Sequence, residues 1–312
     1  MSGPVENQKS GDELGVDVIE VKEGRSTRIG ELAILRVLPT KGRRTIGPWC
    51  FVDLMSPDDI ENPPPMEIGP HPHIGLSTVT WLFDGSALHS DSLGTEQLIR
   101  PGELNLMSSG HGIAHAELGV ETRADPSSGI MGAQMWLAQS ESTRHGSSSF
   151  QHLKVIPEFE TEELLARVFI GQLGATRSGA RTDHPTVGAD IEIRSPVEIP
   201  IDPLFEHAIV PIDRPVKVDE AIVDPGALAI IPVATTSIRL ESRSGPARVL
   251  LLGGEPLGEP IQMWWNFVAR SRDELTEAWV AWRDHDDDRF GPVASDLARI
   301  DAPRPPWVPN SD

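Results

Sequence analysis

His71-Pro72-His73 and His115-Ala116-Glu117 are the two stretches whose reading decides this chain. Each sets two metal-capable side chains at i and i+2. On a β-strand successive side chains alternate faces, so i and i+2 point the same way. Two such strands facing each other converge three imidazoles and one carboxylate on a single point. Neutral imidazole suits Fe, Zn, Cu and Ni, and a carboxylate adds a hard anionic oxygen. The pattern predicts a β-barrel holding one mononuclear metal, with His71, His73, His115 and Glu117 as ligands. Pro72 has no backbone N–H, which suits an edge or the start of a strand, and its fixed φ stiffens the spacing of the two imidazoles.

Outward from these phrases the chain reads as strands between turns. Residues 77–83 are β-branched and aromatic, and 32–38, 104–107 and 134–137 are apolar runs of strand length. Asn62-Pro63-Pro64-Pro65 forms a loop leading into the first phrase. Asp84-Gly85, Arg100-Pro101-Gly102-Glu103, Asp224-Pro225-Gly226 and Ser244-Gly245-Pro246 mark turns. With 28 Gly and 28 Pro, an all-β architecture is favoured over a helical bundle. One helix is predicted over 272–282, where Leu275, Trp279 and Trp282 share a face. The acidic Asp284, Asp286, Asp287 and Asp288 that follow lack the Gly and closing Glu of an EF-hand loop and read as a solvated helix end. The Pro-rich end from Asp301 reads as extended.

The domain reading is a disordered polar segment over 1–14, a metal-binding domain over 15–140 and a Ser-rich linker over 141–152. A second domain without metal follows over 153–255, and 256–312 is a helix and tail that pack back on the first domain. Arg100-Pro101-Gly102-Glu103-Leu104 echoes Asp224-Pro225-Gly226-Ala227-Leu228, as two copies of one ancestral unit would. Carried forward, that register sets Arg239 opposite His115 and Glu241 opposite Glu117, so the second copy has a cation where a ligand should be.

The 312 residues are enough for two domains with sizeable cores. The net charge of −20, from 27 basic and 47 acidic residues, disfavours phosphate backbones and anionic membrane surfaces. No direct nucleic-acid or membrane partner is expected, and no apolar run approaches the ~20 residues of a membrane helix. The lone Cys50 excludes an intrachain disulfide, and its apolar neighbours Trp49, Phe51 and Val52 predict a buried, inert thiol. No cationic, apolar leader opens the sequence, so a cytoplasmic location is expected; a monomer is expected as well.

The residues resemble the pirin family, which are bicupins. The resemblance is carried by Gly69-Pro70-His71-Pro72-His73-Ile74-Gly75-Leu76 and Gly110-His111-Gly112-Ile113-Ala114-His115-Ala116-Glu117. Gly47-Pro48-Trp49, Thr78-Val79-Thr80-Trp81-Leu82, His89-Ser90-Asp91-Ser92-Leu93-Gly94, Gln134-Met135-Trp136 and Gly254-Glu255-Pro256-Leu257-Gly258-Glu259-Pro260-Ile261 support it, in order, over roughly residues 30 to 270. It implies two tandem cupin, jelly-roll-like barrels with a short C-terminal helix, metal bound only in the first, and His71, His73, His115 and Glu117 as its ligands. It further implies iron as the usual metal, with cleavage of the flavonol quercetin by dioxygen in some members. Others act without catalysis, as transcriptional co-regulators or as modulators of metabolic enzymes. Three departures concern the pocket more than the ligands. Cupins generally carry Glu where Ser77 stands, many pirins carry Arg where His111 stands, and His often takes the place of Leu54.

As an oxygenase, the chain would take a small planar aromatic substrate and O2 at one divalent transition metal, Fe(II) by resemblance, with Zn, Ni, Mn or Cu also accepted by the donor set. Glu117 is either a pure ligand or also a base toward a flavonol hydroxyl. His89 and His111 are candidates for polar support around the ligands, and Trp81 and Trp136 for the pocket wall, although both tryptophans also read as core. The competing class is a metal- or redox-sensing regulator acting through a protein partner, and a metal-dependent isomerase or hydrolase is a third. His145, His152, His184, His207 and His285 belong to no motif and read as surface residues.

Overall fold

The computed structural model describes residues 19–29, 32–55, 66–120 and 129–309. The polar segment over 1–14 and the Asn62–Pro65 loop lie outside the described residues. Every strand pairing within the sheets is antiparallel, as short hairpin connections require. The four strands anticipated from composition are present as Leu32–Leu38, Leu76–Asp84, Leu104–Ser108 and Met131–Ala138. Gly85, Gly102, Gly226 and Gly245 all take positive φ in the expected turns.

The chain builds the same pair of sheets twice. In the first unit a seven-stranded sheet runs in the order Ser149–Leu153, Leu104–Ser108, Leu76–Asp84, Met131–Ala138, Trp49–Met55, Leu32–Leu38, Arg25–Ile29. A four-stranded sheet of Glu67–His73, Ile113–Gly119, Ala87–Asp91 and Glu96–Ile99 faces it. The second unit repeats this. Its large sheet is Glu20–Glu23, Ala227–Ile231, Glu206–Pro211, Ala247–Gly254, Thr186–Ile193, Leu164–Leu173, Glu158–Glu160, and its small sheet is Val197–Pro200, Ser237–Ser242, Val216–Val218, Ala221–Val223. These are two cupin-like jelly rolls, made of facing sheets rather than closed barrels.

The edge strands are exchanged between the units. Glu20–Glu23, ahead of the first unit, pairs with Ala227–Ile231 of the second. Ser149–Leu153, at the end of the stretch read as a linker, pairs with Leu104–Ser108 of the first. Each exchanged strand covers an edge that would otherwise leave its N–H and C=O groups unpaired.

The large sheets pack back to back across one apolar layer, which includes Leu38, Trp49, Trp81 and Leu106 from one unit and Phe169, Val210, Leu228 and Leu252 from the other. Aligned sheets bury such a layer between their inner faces. The second unit's own interior is filled by apolar side chains, Ile238 and Leu240 among them. This corrects the register carried forward from the sequence echo: Arg239, expected opposite His115, is exposed between two inward-facing neighbours. The count of residues from Leu228 to Arg239 equals that from Leu104 to His115, so no insertion accounts for the change of face; alternation along Ser237–Ser242 points Ile238 and Leu240 inward and Arg239 outward.

One helix, Arg272–Arg283, completes the fold. Ser271 caps it by accepting the Glu274 N–H (3.2 Å), with Asp273 and Glu274 in the first turn. Leu275, Trp279 and Trp282 are buried on its inner face as the spacing predicts, and they pack with Ile74, Ala114 and Phe267. The aspartates after it are exposed. Among the described residues no helix is long and apolar enough to cross a membrane.

Candidate metal centre

The small sheet of the first unit gathers the two histidine phrases. Ile113–Gly119 pairs with Glu67–His73 so that His115 stands opposite His71 and Ile113 opposite His73. His71 and His73 share a face by alternation. A bulge in the pairing falls between His115 and Glu117, which sets Glu117 opposite Ile68 and, on the other side, opposite His89. All four predicted ligands are buried: His71 at 6% exposure, His73 and His115 at 1%, Glu117 at 5%.

Donor atoms of His71, His73 and His115 lie within 4.8 Å of one another, and so do those of His89, His115 and Glu117. The two groups share His115. His73 Nε2 and His115 Nε2 are 3.0 Å apart. That is the spacing of two neighbouring ligands on an octahedral ion, since bonds of ~2.1 Å put adjacent donors ~3.0 Å apart. The outer nitrogens are already engaged. His71 Nδ1 lies 2.9 Å from the Gly69 carbonyl oxygen and His73 Nδ1 lies 3.0 Å from that of Asn266. A carbonyl can only accept, so both imidazoles donate from Nδ1 and turn a bare Nε2 inward. This is the arrangement a divalent transition metal needs, and the residues fit one.

Burial pushes the imidazoles toward the neutral, ligating form. His71 is lowered from 6.5 to about 4 by desolvation. Burial also holds His73 and His115 well below the ordinary imidazole value, helped by the neighbouring imidazoles. Burial raises the Glu117 carboxyl to about 7. A cation beside it would reverse that shift.

The support for His73 comes from far along the chain. Asn266 lies in the turn of a hairpin formed by Gln262–Trp264 and Phe267–Ala269. Val268 N–H donates to the Ile74 carbonyl (3.1 Å). Gly75, at φ +65°, lets the hairpin approach, because a Cβ there would sit 2.1 Å from the Val268 carbonyl oxygen. Nothing in the sequence ties Asn266 to His73, because the contact is made by backbone.

The other candidates divide. Trp136 borders the centre, its ring 5.2 Å from that of His73 and stacked on Phe51 at 4.0 Å. His89 adjoins His115, with 3.3 Å between their Nδ1 atoms, and donates toward Asp91. Burial alone would raise the Asp91 carboxyl, but hydrogen bonds from His89 and the Thr95 N–H outweigh it and hold it below the ordinary carboxylate range. Trp81 is not in the pocket. It lies between the large sheets, donates from Nε1 to Asp190 (3.1 Å) and stacks on Phe169, because its strand alternates it to the back face. His111 is exposed and does not reach the centre; its backbone carbonyl accepts from Arg289. His207, read as a surface residue, is buried at 1% exposure in the second unit. Cys50 is fully buried, with its thiol pushed up to about 12 by desolvation.

The family model described as Pirin matches residues 31–137, and that of the Pirin C-terminal cupin domain matches residues 187–291. The chain belongs to the pirin family. Among pirin-family relatives, a Pseudomonas aeruginosa protein named "Putative quercetin 2,3-dioxygenase" is 37% identical over 281 residues, covering 89% of this chain and 87% of that protein. A pirin-like protein of Caulobacter vibrioides is 32% identical over 271 residues, covering 84% and 92%. Among solved structures, a quercetin 2,3-dioxygenase from Acinetobacter baumannii superposes with a TM-score of 0.86 at 36% identity, covering 94% of this chain and 97% of that one. The bacterial pirin YhhW of Escherichia coli, solved with nickel(II), shares the fold at a TM-score of 0.59 and 16% identity, covering 77% and 100%.

Proposed function

We propose that this pirin is a mononuclear non-haem metalloprotein that cleaves a flavonol of the quercetin class with dioxygen, with His71, His73, His115 and Glu117 holding an iron(II) ion. The observation that carries the reading is the inward convergence of imidazole nitrogens whose outer nitrogens are tied to carbonyl oxygens. The names of the Pseudomonas and Acinetobacter relatives support the substrate class, and the nickel in YhhW supports a divalent transition metal.

When bound, the ion supplies a Lewis acid and one-electron chemistry toward dioxygen. The chain's own residues do the rest. Trp136, stacked on Phe51 at 4.0 Å, sets an aromatic ring edge-on to His73 and bounds the centre on that side. Burial of the centre excludes water, which strengthens every electrostatic interaction inside it. Glu117 is the carboxylate at the centre, and it takes the flavonol hydroxyl proton on a carboxylate oxygen when it acts as base.

The test is anaerobic loading with Fe(II), followed by oxygen uptake on adding quercetin. Uptake that requires both metal and flavonol is expected. No uptake with Fe, Ni, Mn, Cu or Zn would overturn the enzyme reading in favour of a regulator that works through a protein partner. Glu117→Gln separates the two roles of that residue: retained metal with lost turnover assigns it as the base, and lost metal assigns it as a ligand alone.

A further inference from the structure

The geometry points to Asp91 and His89 as positioning residues that fix which nitrogen His115 turns toward the metal, an inference that rests on the ligand set proposed above. Three side chains stand in a row. Asp91 Oδ1 accepts the backbone N–H groups of Leu93 (2.9 Å) and Thr95 (3.0 Å), which anchor the carboxylate. Asp91 Oδ2 lies 3.1 Å from His89 Nε2. His89 Nδ1 lies 3.3 Å from His115 Nδ1, and His115 Nε2 lies 3.0 Å from His73 Nε2. The strand register builds the row, because Ile113–Gly119 pairs with Ala87–Asp91 so that His115 faces Asp91 and Glu117 faces His89.

The order of donors follows from the acceptor at the end. A carboxylate anchored by two N–H groups accepts, so the hydrogen between Asp91 and His89 belongs to His89 Nε2. His89 then offers a lone pair at Nδ1, and His115 donates to it from its own Nδ1. His115 Nε2 is left bare toward His73 and the centre. A ligating imidazole commonly donates its other N–H in this way, and the partner orients the ring. His71 and His73 use backbone carbonyls for this purpose; His115 uses a side chain, itself held by a second one. The plane of His89 is fixed in turn by Phe150, stacked on it at 4.6 Å and 23°. Phe150 belongs to the strand Ser149–Leu153, so the segment read as the linker between the units reaches the row.

His89, His115 and Glu117 also form a compact donor group. A direct ligand role for His89 is therefore the rival outcome. Three variants decide between them: His89→Phe removes the acceptor and keeps an aromatic ring against Phe150, His89→Gln restores an amide oxygen acceptor, and Asp91→Asn weakens the anchor. Each is loaded with Co(II) or Ni(II), and affinity is measured by competition with a chelator. The absorption spectrum and X-ray absorption of the Co(II) form report the ligands, and thermal melting of the metal-free variants confirms folding.

His89→Phe is expected to weaken metal binding about 10–100-fold, with the nitrogen-ligand count unchanged. His89→Gln is expected to recover most of the loss, and Asp91→Asn to fall between. Binding by His89→Phe within twofold of the parent overturns the inference, as does loss of one nitrogen from the Co(II) coordination shell. These readouts do not depend on turnover, so failure of the dioxygenase reading leaves them intact. Unchanged metal binding after His115→Ala would sink the ligand set itself.

Discussion

At the scale of single residues, the centre turns on which imidazole nitrogens are bare. His73 donates to the Asn266 carbonyl and presents Nε2, so His73→Ala should lower metal affinity by more than the ~100-fold that loss of an outer partner costs. Chelator competition measures it, and full metal retention would contradict the ligand assignment. His207 gives a pH prediction away from the metal. Its folded-state pKa is lowered from 6.5 to about 4, chiefly by burial, with Asp202 acting in the opposite direction. Between those values the unfolded chain binds a proton that the folded chain refuses. Stability therefore falls as pH drops from 6.5 to 4, by up to about 3 kcal/mol. Urea unfolding of metal-free protein at pH 7 and pH 4.5 should show a smaller drop for His207→Gln than for the parent. The convergence of His71, His73 and His115 was legible in the sequence because strand alternation makes i and i+2 spacing meaningful. The burial of His207 was not, since a lone histidine in a strand has no partner spacing to reveal its face, and His111 differs from His115 only by where its strand begins.

Elements decide the fate of residues that look alike. Trp81 and Trp136 both sit in apolar strands of the same large sheet, yet one faces the opposing unit and the other faces the histidines. Which face each takes depends on strand register and on bulges such as that between Trp136 and Leu137, features that a hydrophobic run does not encode. Trp81→Phe removes the hydrogen bond to Asp190 and keeps most of the stacking on Phe169. The expected cost is about 1–2 kcal/mol in urea unfolding, with metal stoichiometry unchanged because Arg248 still holds Asp190. A loss of metal in that variant would show that the back-to-back layer and the centre are coupled. The strands, the Gly turns and the C-terminal helix were legible from residue type and period. The outward turn of Arg239 was not, because the echo fixes residue count and not the face a strand presents after its loop.

Across the whole molecule, the two units are joined by more than their shared apolar layer. Each lends its leading strand to the other's sheet. The lent strand Ser149–Leu153 brings Phe150 to His89, and the late hairpin brings the Asn266 carbonyl to His73. The repeat was visible in the echo around Pro101 and Pro225, whereas the exchange was not, because an edge strand carries the same pattern whichever sheet it joins. A ribosome delivers this polypeptide from its amino end, so His71, His115 and the His89–Asp91 row emerge early, whereas the Asn266 carbonyl that orients His73 is synthesised late. The proposed centre therefore gains the outer partner of His73 only after most of the chain has emerged, and a product shortened before Asn266 would lack it.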